Sequence, residues 1–308
     1  MRSAGAARCL RASDMATQEH PASRGLDTGP PAHAKPLVEI VGGRGGVSLA
    51  GLRELWRFRE VLWAFVLRGV KARYRQAVLG IGWAVIQPVL AAALFAVFLG
   101  RFAKVSSDGV PYLLSALAGM TAWTFFSSGA SASAVSLVAN QSMLKKIYFP
   151  REILPLSSIV ASLLDLAIGL VVVVVAAVLY GDYPSVAYLA LPLPLVVLVL
   201  AVATFGIGLS AVNVYYRDVG YAMPFILQVG IFATPVAYPV TVVPEHIRTW
   251  YLIFNPLAAT IDGIRRIVIH GDWPAWGPTL GALAWVSILV VLAYALFKRL
   301  ERGLSDRV

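Results

Sequence analysis

Five acidic and histidine side chains lie in one segment, residues 245–272. They are Glu245, His246, Asp262, His270 and Asp272. Such groups could carry acid–base chemistry, but their spacing matches no H-E-x-x-H or other metal-binding motif. No nucleophile elbow, phosphate loop or dinucleotide fingerprint occurs in the chain. We therefore predict no catalytic residue and no metal site, and interpret the group as scattered loop charges.

Three other features invite a chemical interpretation. The run 42–46 is glycine-rich but lacks the Gly-Lys-Ser/Thr ending of a phosphate-binding loop, so a flexible linker is favoured. Cys9 is the only cysteine, which excludes a disulfide framework and a cysteine-based metal cluster. Asp165 is the one ionisable residue well inside an apolar stretch, which makes it a functional candidate by default. No series of acids accompanies it, so a structural carboxyl is favoured over a proton relay.

The helices that position these residues can be predicted from the composition of the chain. Hydrophobic residues make up 58% of the 308 and charged residues 14%, against about 25% charged in a soluble domain. Six stretches carry at most one charge and exceed the roughly 20 apolar residues that cross a bilayer as a helix. The chain is therefore predicted to be a polytopic membrane protein. The predicted spans are about 77–100, 110–134, 153–180, 186–212, 221–240 and 276–297.

The part before the first span divides into two. Residues 1–48 are rich in Ala, Gly, Pro, Ser and Arg, without apolar periodicity, and predict a disordered cytoplasmic tail, with Met15 as an alternative start. Residues 49–76 alternate apolar and basic positions at helical spacing and predict an amphipathic helix on the membrane surface. A simple basic flank to the first span is the compatible alternative. The basic candidates of this interface helix are Arg53, Arg57, Arg68 and Lys71.

Charge asymmetry predicts the orientation. With the N-terminus inside, the inner segments after residue 50 hold 15 Lys and Arg, and the outer segments hold 5. This bias favours cytoplasmic N- and C-termini. The net charge of +10 is thereby explained without a nucleic-acid partner.

Between the fifth and sixth spans, residues 245–270 are too apolar for a solvated loop and too interrupted to cross the membrane. They predict two short re-entrant helices broken at Asn255-Pro256, because irregular backbone at membrane depth must pack on protein or line a cavity. The predicted fold is therefore all-α and integral to the membrane. It has six transmembrane helices within residues 49–308, an N-terminal amphipathic interface helix, and re-entrant helices on the outer side.

The inner loop 140–155 combines basic residues, an aromatic pair predicted to be exposed, and a proline turn. Apolar anchors ringed by charge are typical of a docking site for a soluble partner. A plain membrane-flanking loop would need the lysines but not the aromatic pair. The docking candidates are Lys145, Lys146, Tyr148, Phe149, Arg151 and Glu152.

Several short motifs in this order resemble a known family, the permease subunit of ABC-2 type polysaccharide exporters. These exporters serve O-antigen, capsule and teichoic acid chains. The matching residues are Arg73–Gln76 with Leu79–Trp83 and Gln87–Pro88, Trp123–Phe126, Lys145–Glu152, Tyr216–Asp218 with Pro224, Pro235–Pro239, Asn255–Pro256, and Leu300–Arg302 with Ser305–Asp306.

The resemblance implies a homodimer in the cytoplasmic (inner) membrane that encloses a channel for a lipid-diphosphate-linked polysaccharide. Two copies of a separate ABC ATPase would dock on the inner loop and would bind ATP and Mg, so this chain itself would hold no cofactor. The implied channel-lining aromatic residues are Trp123, Phe126, Tyr215, Tyr216, Tyr221 and Tyr238. The implied outer-gate residues are Trp250, Tyr251, Asn255, Arg265 and Arg266. The two arginines could bind the diphosphate or an anionic glycan. Alternatively they extend to lipid headgroups, and this second interpretation is favoured.

Two other functions stay open at this stage. The same architecture could export a drug, a lipid or another small amphiphile. An integral-membrane glycosyl or acyl transferase is a different class, which the scarcity of acidic residues and histidines disfavours.

Overall fold

The computed structural model of the chain describes residues 49–75, 79–102, 110–301 and 303. Every regular element in those ranges is a helix, so the all-α class is confirmed there. The predicted disordered tail, 1–48, lies outside the described residues. The α-helices are α1 (Leu49–Arg57), α2 (Arg59–Tyr74), α3 (Gly82–Phe95), α4 (Tyr112–Ala139), α5 (Gln141–Leu144), α6 (Ile153–Tyr180), α7 (Pro192–Tyr215), α8 (Asp218–Ala233), α9 (Glu245–Phe254), α10 (Pro256–Arg265) and α11 (Trp276–Glu301).

Within the residues that the structure describes, four helical stretches are long and apolar enough to cross a membrane, and they make the chain a multi-pass membrane protein. They are Gly82–Phe102, Ile153–Tyr180, Val186–Tyr215 and Trp276–Glu301. Helix α4 has 28 residues, but many are serine, glycine or alanine, and α8 has only 16 residues. The count of six spans therefore stays a prediction.

Helix α4 is the central helix of the described domain. It packs against α6 and α7 along most of its length and also contacts α3, α8 and α10. From Leu114 to Phe126 every side chain except Thr124 is buried. A helix enclosed by other helices does not have to match the apolarity of lipid, which explains why α4 tolerates so many small polar residues.

Glycines at helix contacts bring α4 close to its neighbours. A Cβ at Gly129 would lie 2.9 Å from Val202 Cγ1 of α7, and a Cβ at Gly206 of α7 would lie 2.6 Å from Ser133 Cβ. Larger residues at these positions would push the helices apart. The serine- and glycine-rich composition of α4 is therefore a packing feature.

The predicted interface helix 49–76 forms two helices, α1 and α2, that meet at Phe58. Helix α2 packs along α6, with its Phe65 ring 5.5 Å from the Phe149 ring and Gly69 facing Ala161. Trp56 of α1 and Trp63 of α2 are both exposed. Helix α2 is therefore braced by protein on one side, and its contact with the membrane surface stays a prediction.

Helix α8 ends at Ala233, before the predicted span end at residue 240. The next residues are not helical up to a short 3₁₀ turn at Val240–Val242. Prolines 235 and 239 cannot donate the backbone hydrogen bonds that would continue the helix. The chain then forms α9 and α10, which are separated at Asn255, the residue at which the sequence predicts a break.

Candidate functional site

The loop between α4 and α6, residues 140–152, presents a compact exposed patch. Lys145, Lys146, Ile147 and Tyr148 are all exposed, and 55% of Tyr148 is accessible. We call these four residues the loop patch. It combines two apolar side chains with two positive charges, so it has the composition of a docking surface.

Phe149, predicted to be exposed beside Tyr148, is only 5% accessible, so that prediction is wrong. Its ring packs against Phe65 because α2 covers this side of the loop. Phe149 therefore joins the loop to α2 and is not part of the loop patch.

Glu152 is also buried, at 2% exposure, so it is not the surface docking residue that the sequence predicts. Its Oε1 lies 2.6 Å from Lys298 Nζ and accepts a hydrogen bond of 3.0 Å from the Tyr294 hydroxyl. Its Oε2 has no hydrogen-bond partner within the described part of the chain. A buried carboxylate of this kind depends strongly on its cation, so Glu152 ties the start of α6 to α11.

Two further bonds hold the C-terminal end of α11. Arg151 donates to the Glu301 carbonyl at 3.1 Å, and the Tyr215 hydroxyl of α7 donates to the Leu300 carbonyl at 2.8 Å. Unpaired carbonyls at a helix end need such donors. Tyr215, predicted for the channel, is thus placed at this helix end.

Tyr148 lies beside α1 as well as on the surface. Partial burial and the negative charges of Glu54 and Glu301 raise the pKa of its hydroxyl above the usual value. The hydroxyl can donate a hydrogen bond to the carboxylate of Glu54. The loop patch is connected in this way to α1.

Asp165, the acid inside a predicted span, is paired. It accepts from the Arg73 guanidinium and from the Tyr74 hydroxyl, both at the end of α2, and Arg73 also lies 3.4 Å from Ser162 Oγ. Burial and the hydrogen bond to Asp165 raise the pKa of Tyr74 to about 12. These contacts support the structural interpretation of Asp165 as the residue that fastens α2 to α6.

Arg265 is 7% exposed and belongs to the interior, so neither predicted role, headgroup contact or anion contact, fits it. Its guanidinium donates to four backbone carbonyls. The acceptors are Ser115 at 3.1 Å, Pro235 at 2.9 Å, Val236 at 2.6 Å and Tyr238 at 3.0 Å. Arg265 therefore binds the irregular segment after α8 to α4 and α10.

Every carbonyl from residue 232 to residue 238 has a donor. Arg265 serves three of them, and Val236 N–H bonds the Thr234 carbonyl at 2.7 Å. The remaining donors are Tyr238 to Phe232, Tyr251 and Asn255 to Ala233, and Tyr112 to Ala237. Such complete pairing is the condition for irregular backbone at membrane depth. We call residues 232–238 the capped break.

Three predicted outer-gate residues, Tyr251, Asn255 and Arg265, are thus brought together at the capped break, along with Tyr238 from the predicted channel set. The other two are elsewhere. Trp250 is exposed and stacks on Phe254 at 6.0 Å, and Arg266 is exposed and pairs with Asp262 at 2.8 Å.

The remaining channel candidates separate into two groups. Trp123 and Phe126 are buried inside the helix bundle, and the Phe126 ring packs at 5.4 Å against the Phe205 ring. Both line an apolar cavity of about 330 Å³. Tyr216 and Tyr221 are exposed beside the start of α8.

The predicted basic residues of the interface helix are also exposed: Arg53, Arg57, Arg68 and Lys71.

The hydrogen-bond and ion-pair partners of these residues were not predicted from the sequence. Arg73 and Tyr74 bind Asp165, Lys298 and Tyr294 bind Glu152, and Tyr112 binds the capped break. One usable signal was present: an acid alone in an apolar stretch requires a partner, and the Arg-Tyr pair just before the first span could supply it.

Comparison with known proteins gives consistent relationships. The profile of the ABC-2 type transporter family matches residues 60–269. The O-antigen export system permease protein RfbA of Myxococcus xanthus is 29% identical over 79% of this chain and 92% of its own length. RfbA of Klebsiella pneumoniae is 28% identical over 69% of this chain and 81% of its own length. The polysialic acid transport protein KpsM of Escherichia coli is 24% identical over 78% of this chain and 93% of its own length.

Proposed function

This chain belongs to the ABC-2 type transporter family, and we propose that it is the membrane-spanning permease of an ATP-driven exporter of a lipid-diphosphate-linked polysaccharide. The observation that carries the proposal is the similarity of most of the chain to permeases named for O-antigen export and polysialic acid transport. Because these relatives are named as permeases and as a transport protein, we assign this chain a transport role without enzymatic activity.

A separate ABC ATPase would dock on the loop patch and would bind ATP and Mg, so this chain would need no cofactor of its own. The geometry supports the transmission of a push on that patch. A displacement of the loop patch would be transmitted to α2 by the packing of Phe149 on Phe65. It would be transmitted to α11 by the ion pair between Glu152 and Lys298. Exposed apolar and basic side chains would bind the partner, while the buried neighbours would carry the movement.

We infer six membrane spans, which are the four apolar stretches given above together with α4 and α8. A helix packed inside the bundle needs little lipid-facing apolar surface, which accounts for the composition of α4. Helix α8 can end within the membrane, because the carbonyl groups of the capped break accept hydrogen bonds from protein donors. Helices α9 and α10 would then be re-entrant on the outer side. The excess of Lys and Arg in the segments predicted to lie inside supports our proposal that both termini are cytoplasmic. The similarity to O-antigen export permeases supports the inner membrane as the proposed location.

A homodimer would complete the channel. Helix α8 contacts its own protomer sparsely and exposes large apolar side chains, among them Phe225, Val229 and Phe232. Exposed tyrosines at its start, Tyr216 and Tyr221, would offer ring faces to sugars. A second copy packed near this helix would enclose the path of the polysaccharide.

Deletion of the gene tests the proposal. We expect surface polysaccharide to disappear and lipid-linked polymer to accumulate inside the cell, with both restored by the wild-type gene. Normal surface polysaccharide with changed drug resistance or lipid export would replace the proposal with the small-amphiphile alternative. Loss of polymer synthesis itself, measured with membranes and sugar nucleotides, would favour a transferase.

Purification of the tagged chain tests the assembly. We expect a nucleotide-binding protein to co-purify in equal amounts, and the mass of the complex to correspond to two copies of each chain. A monomeric permease without an ATPase would contradict the proposed assembly.

A further inference from the structure

An open groove runs along the exposed face of α2, towards the C-terminal end of the helix. Its volume is about 690 Å³, and three cations line it: Arg68, Lys71 and Arg75. These residues are three and four positions apart, so they lie on one face of the helix, within about 10 Å along its axis. We call this feature the basic groove. None of the contacts described above uses it.

Short side chains keep the basic groove open. Ala64 and Ala72 lie between the longer side chains, and Leu67, which is 45% exposed, adds an apolar strip. The groove therefore presents a row of positive charges beside an apolar surface. A phospholipid offers the complementary pair, because its phosphate group lies next to the first carbons of its acyl chains.

The three cations of the groove have no acidic partner among the described residues. Arg68 lies 3.2 Å from Met143 Sδ, which is a weak and uncharged acceptor. The one acid on α2, Glu60, precedes Arg68 by eight residues, or about 12 Å along the helix. The carboxylate of Asp165 is bound by Arg73, on the side of α2 that faces α6. The groove can therefore bind anions that another molecule supplies.

The basic groove lies where the helices enter the membrane. Arg73, at the level of the groove, contacts Asp165, which follows the first residue of α6 by 12 positions, or about 18 Å. The apolar stretch Gly82–Phe102 begins seven residues after Arg75. Cations next to the end of a membrane span lie at the depth of the lipid headgroups, where they attract anionic lipids.

The loop patch, which is the proposed docking surface of the ATPase, lies near the other end of α2. Phe149, which follows the loop patch, packs on Phe65, and Phe65 precedes Arg75 by ten residues, or about 15 Å along the helix. A bound ATPase would therefore cover the start of α2 rather than its end. The membrane is the partner surface that fits Lys71 and Arg75.

We propose that the basic groove binds the phosphate groups of anionic phospholipids such as phosphatidylglycerol. Arg68, Lys71 and Arg75 bind the phosphates, and Leu67 packs against the adjoining acyl carbons. A guanidinium can bind a phosphate through two N–H groups, and each cation at a membrane surface strengthens the binding of anionic lipid about fivefold. The groove is open along its length, which suits bulk headgroups better than a single enclosed diphosphate. The inference requires a membrane-embedded chain and does not depend on what the chain exports.

The lipid selectivity of the groove provides the first test. A fluorophore on Ala64→Cys, at the end of the groove away from Arg75, reports nearby lipid in the full chain with Cys9→Ser, reconstituted in phosphatidylcholine nanodiscs. Quenching is compared between 5-doxyl phosphatidylglycerol and 5-doxyl phosphatidylcholine. Phosphatidylglycerol should bind about tenfold more strongly or better, and the ratio should fall to about one in the groove variant Arg68→Gln/Lys71→Gln/Arg75→Gln.

The matched control variant is Arg53→Gln/Arg57→Gln/Arg59→Gln, which removes three exposed cations that do not line the groove. Its net charge equals that of the groove variant, so a general electrostatic effect would act on both alike. The control should keep the selectivity for phosphatidylglycerol. Equal quenching by the two lipids in the chain with an intact groove, or an equal loss of selectivity in both triple variants, would overturn the proposal.

Thermal denaturation in detergent gives a second readout that needs no label. Added phosphatidylglycerol should raise the melting temperature of the wild-type chain and of the control variant but not of the groove variant, because a ligand that binds only the folded state stabilises it. A shift produced by farnesyl diphosphate and not by phosphatidylglycerol would assign the groove to a diphosphate-linked lipid and overturn the proposal. Loss of the quenching when the ATPase is added would assign the groove to that protein instead.

Discussion

Arg265 Nη2 lies 2.6 Å from the backbone carbonyl oxygen of Val236. A guanidinium has five N–H donors in one plane, and this one distributes them over carbonyls of α4 and of the capped break. The positive charge therefore stabilises an unwound part of the backbone. The packing of the capped break against α4 and α10 depends on this one side chain.

Arg265→Ala should destabilise the protein strongly. It leaves buried carbonyls without donors, and each such group costs about 1–3 kcal/mol, so a total of about 4 kcal/mol is expected. Thermal denaturation of the purified chain in detergent measures this change. Arg266→Ala is the control: its exposed ion pair with Asp262 contributes about 0–1 kcal/mol. Equal melting temperatures for the two variants would contradict the role of Arg265.

Gly119→Ala should disturb the same region by crowding. A Cβ at Gly119 would collide with the Val236 carbonyl oxygen and approach Arg265 Nη2 at 3.0 Å. Overpacking of this kind costs about 1–3 kcal/mol. Gly277→Ala is the matched control, because its new Cβ would have no neighbour within 4 Å apart from the backbone of its own helix turn and the adjacent residues. The melting temperature should fall for the first variant only.

Lys298→Met should cost about 3 kcal/mol, because it leaves the buried Glu152 carboxylate without its cation. Glu152→Gln in the same chain should restore part of the loss, with a coupling energy of about 1–3 kcal/mol. A double-mutant cycle of unfolding free energies measures the coupling. Strictly additive effects would show that the pair is not an energetic link between α6 and α11.

Phe149→Ala and Tyr148→Ala should separate packing from docking. The first removes a buried ring and should cost about 3–5 kcal/mol of stability. The second changes an exposed residue, so stability should stay within about 0.5 kcal/mol. Tyr148→Ala should instead weaken co-purification of the ATPase by about tenfold or more, as expected for an interface anchor. Normal ATPase binding by Tyr148→Ala and by Lys145→Glu would contradict docking on the loop patch.

Asp165→Asn should loosen α2 from α6. The Arg73 side chain is 32% exposed, so loss of the ion pair should cost only about 1 kcal/mol. The readout is a disulfide between Gly69→Cys and Ala161→Cys, whose Cβ atoms would lie 3.4 Å apart, in a chain with Cys9 replaced. Cross-linking should slow in Asp165→Asn and stay unchanged in Asp218→Asn, which alters an exposed acid. Unchanged cross-linking in both would show that Asp165 does not hold α2.

Much of the architecture is readable in the sequence because it depends on local properties. Uncharged stretches of about 20 or more residues indicate membrane helices, and the span predicted at 153–180 coincides with α6. Asn255 caps α10 through its own side chain, at 3.1 Å to Ala258 N, and Pro256 follows it. Each of these features is encoded within a few residues.

The roles of charged and aromatic side chains required the tertiary structure. Arg265 and Ser115 are 150 residues apart, and Glu152 and Tyr294 are 142 apart, so no local pattern predicts that they meet. Phe149 and Tyr148 are adjacent and chemically similar, yet α2 covers one and leaves the other exposed. The sequence alone determined the class of the protein, a multi-pass membrane helix bundle, because the bilayer acts on each segment separately. Only the packing of the helices decided which charges are buried, because burial depends on segments that lie far apart in the chain.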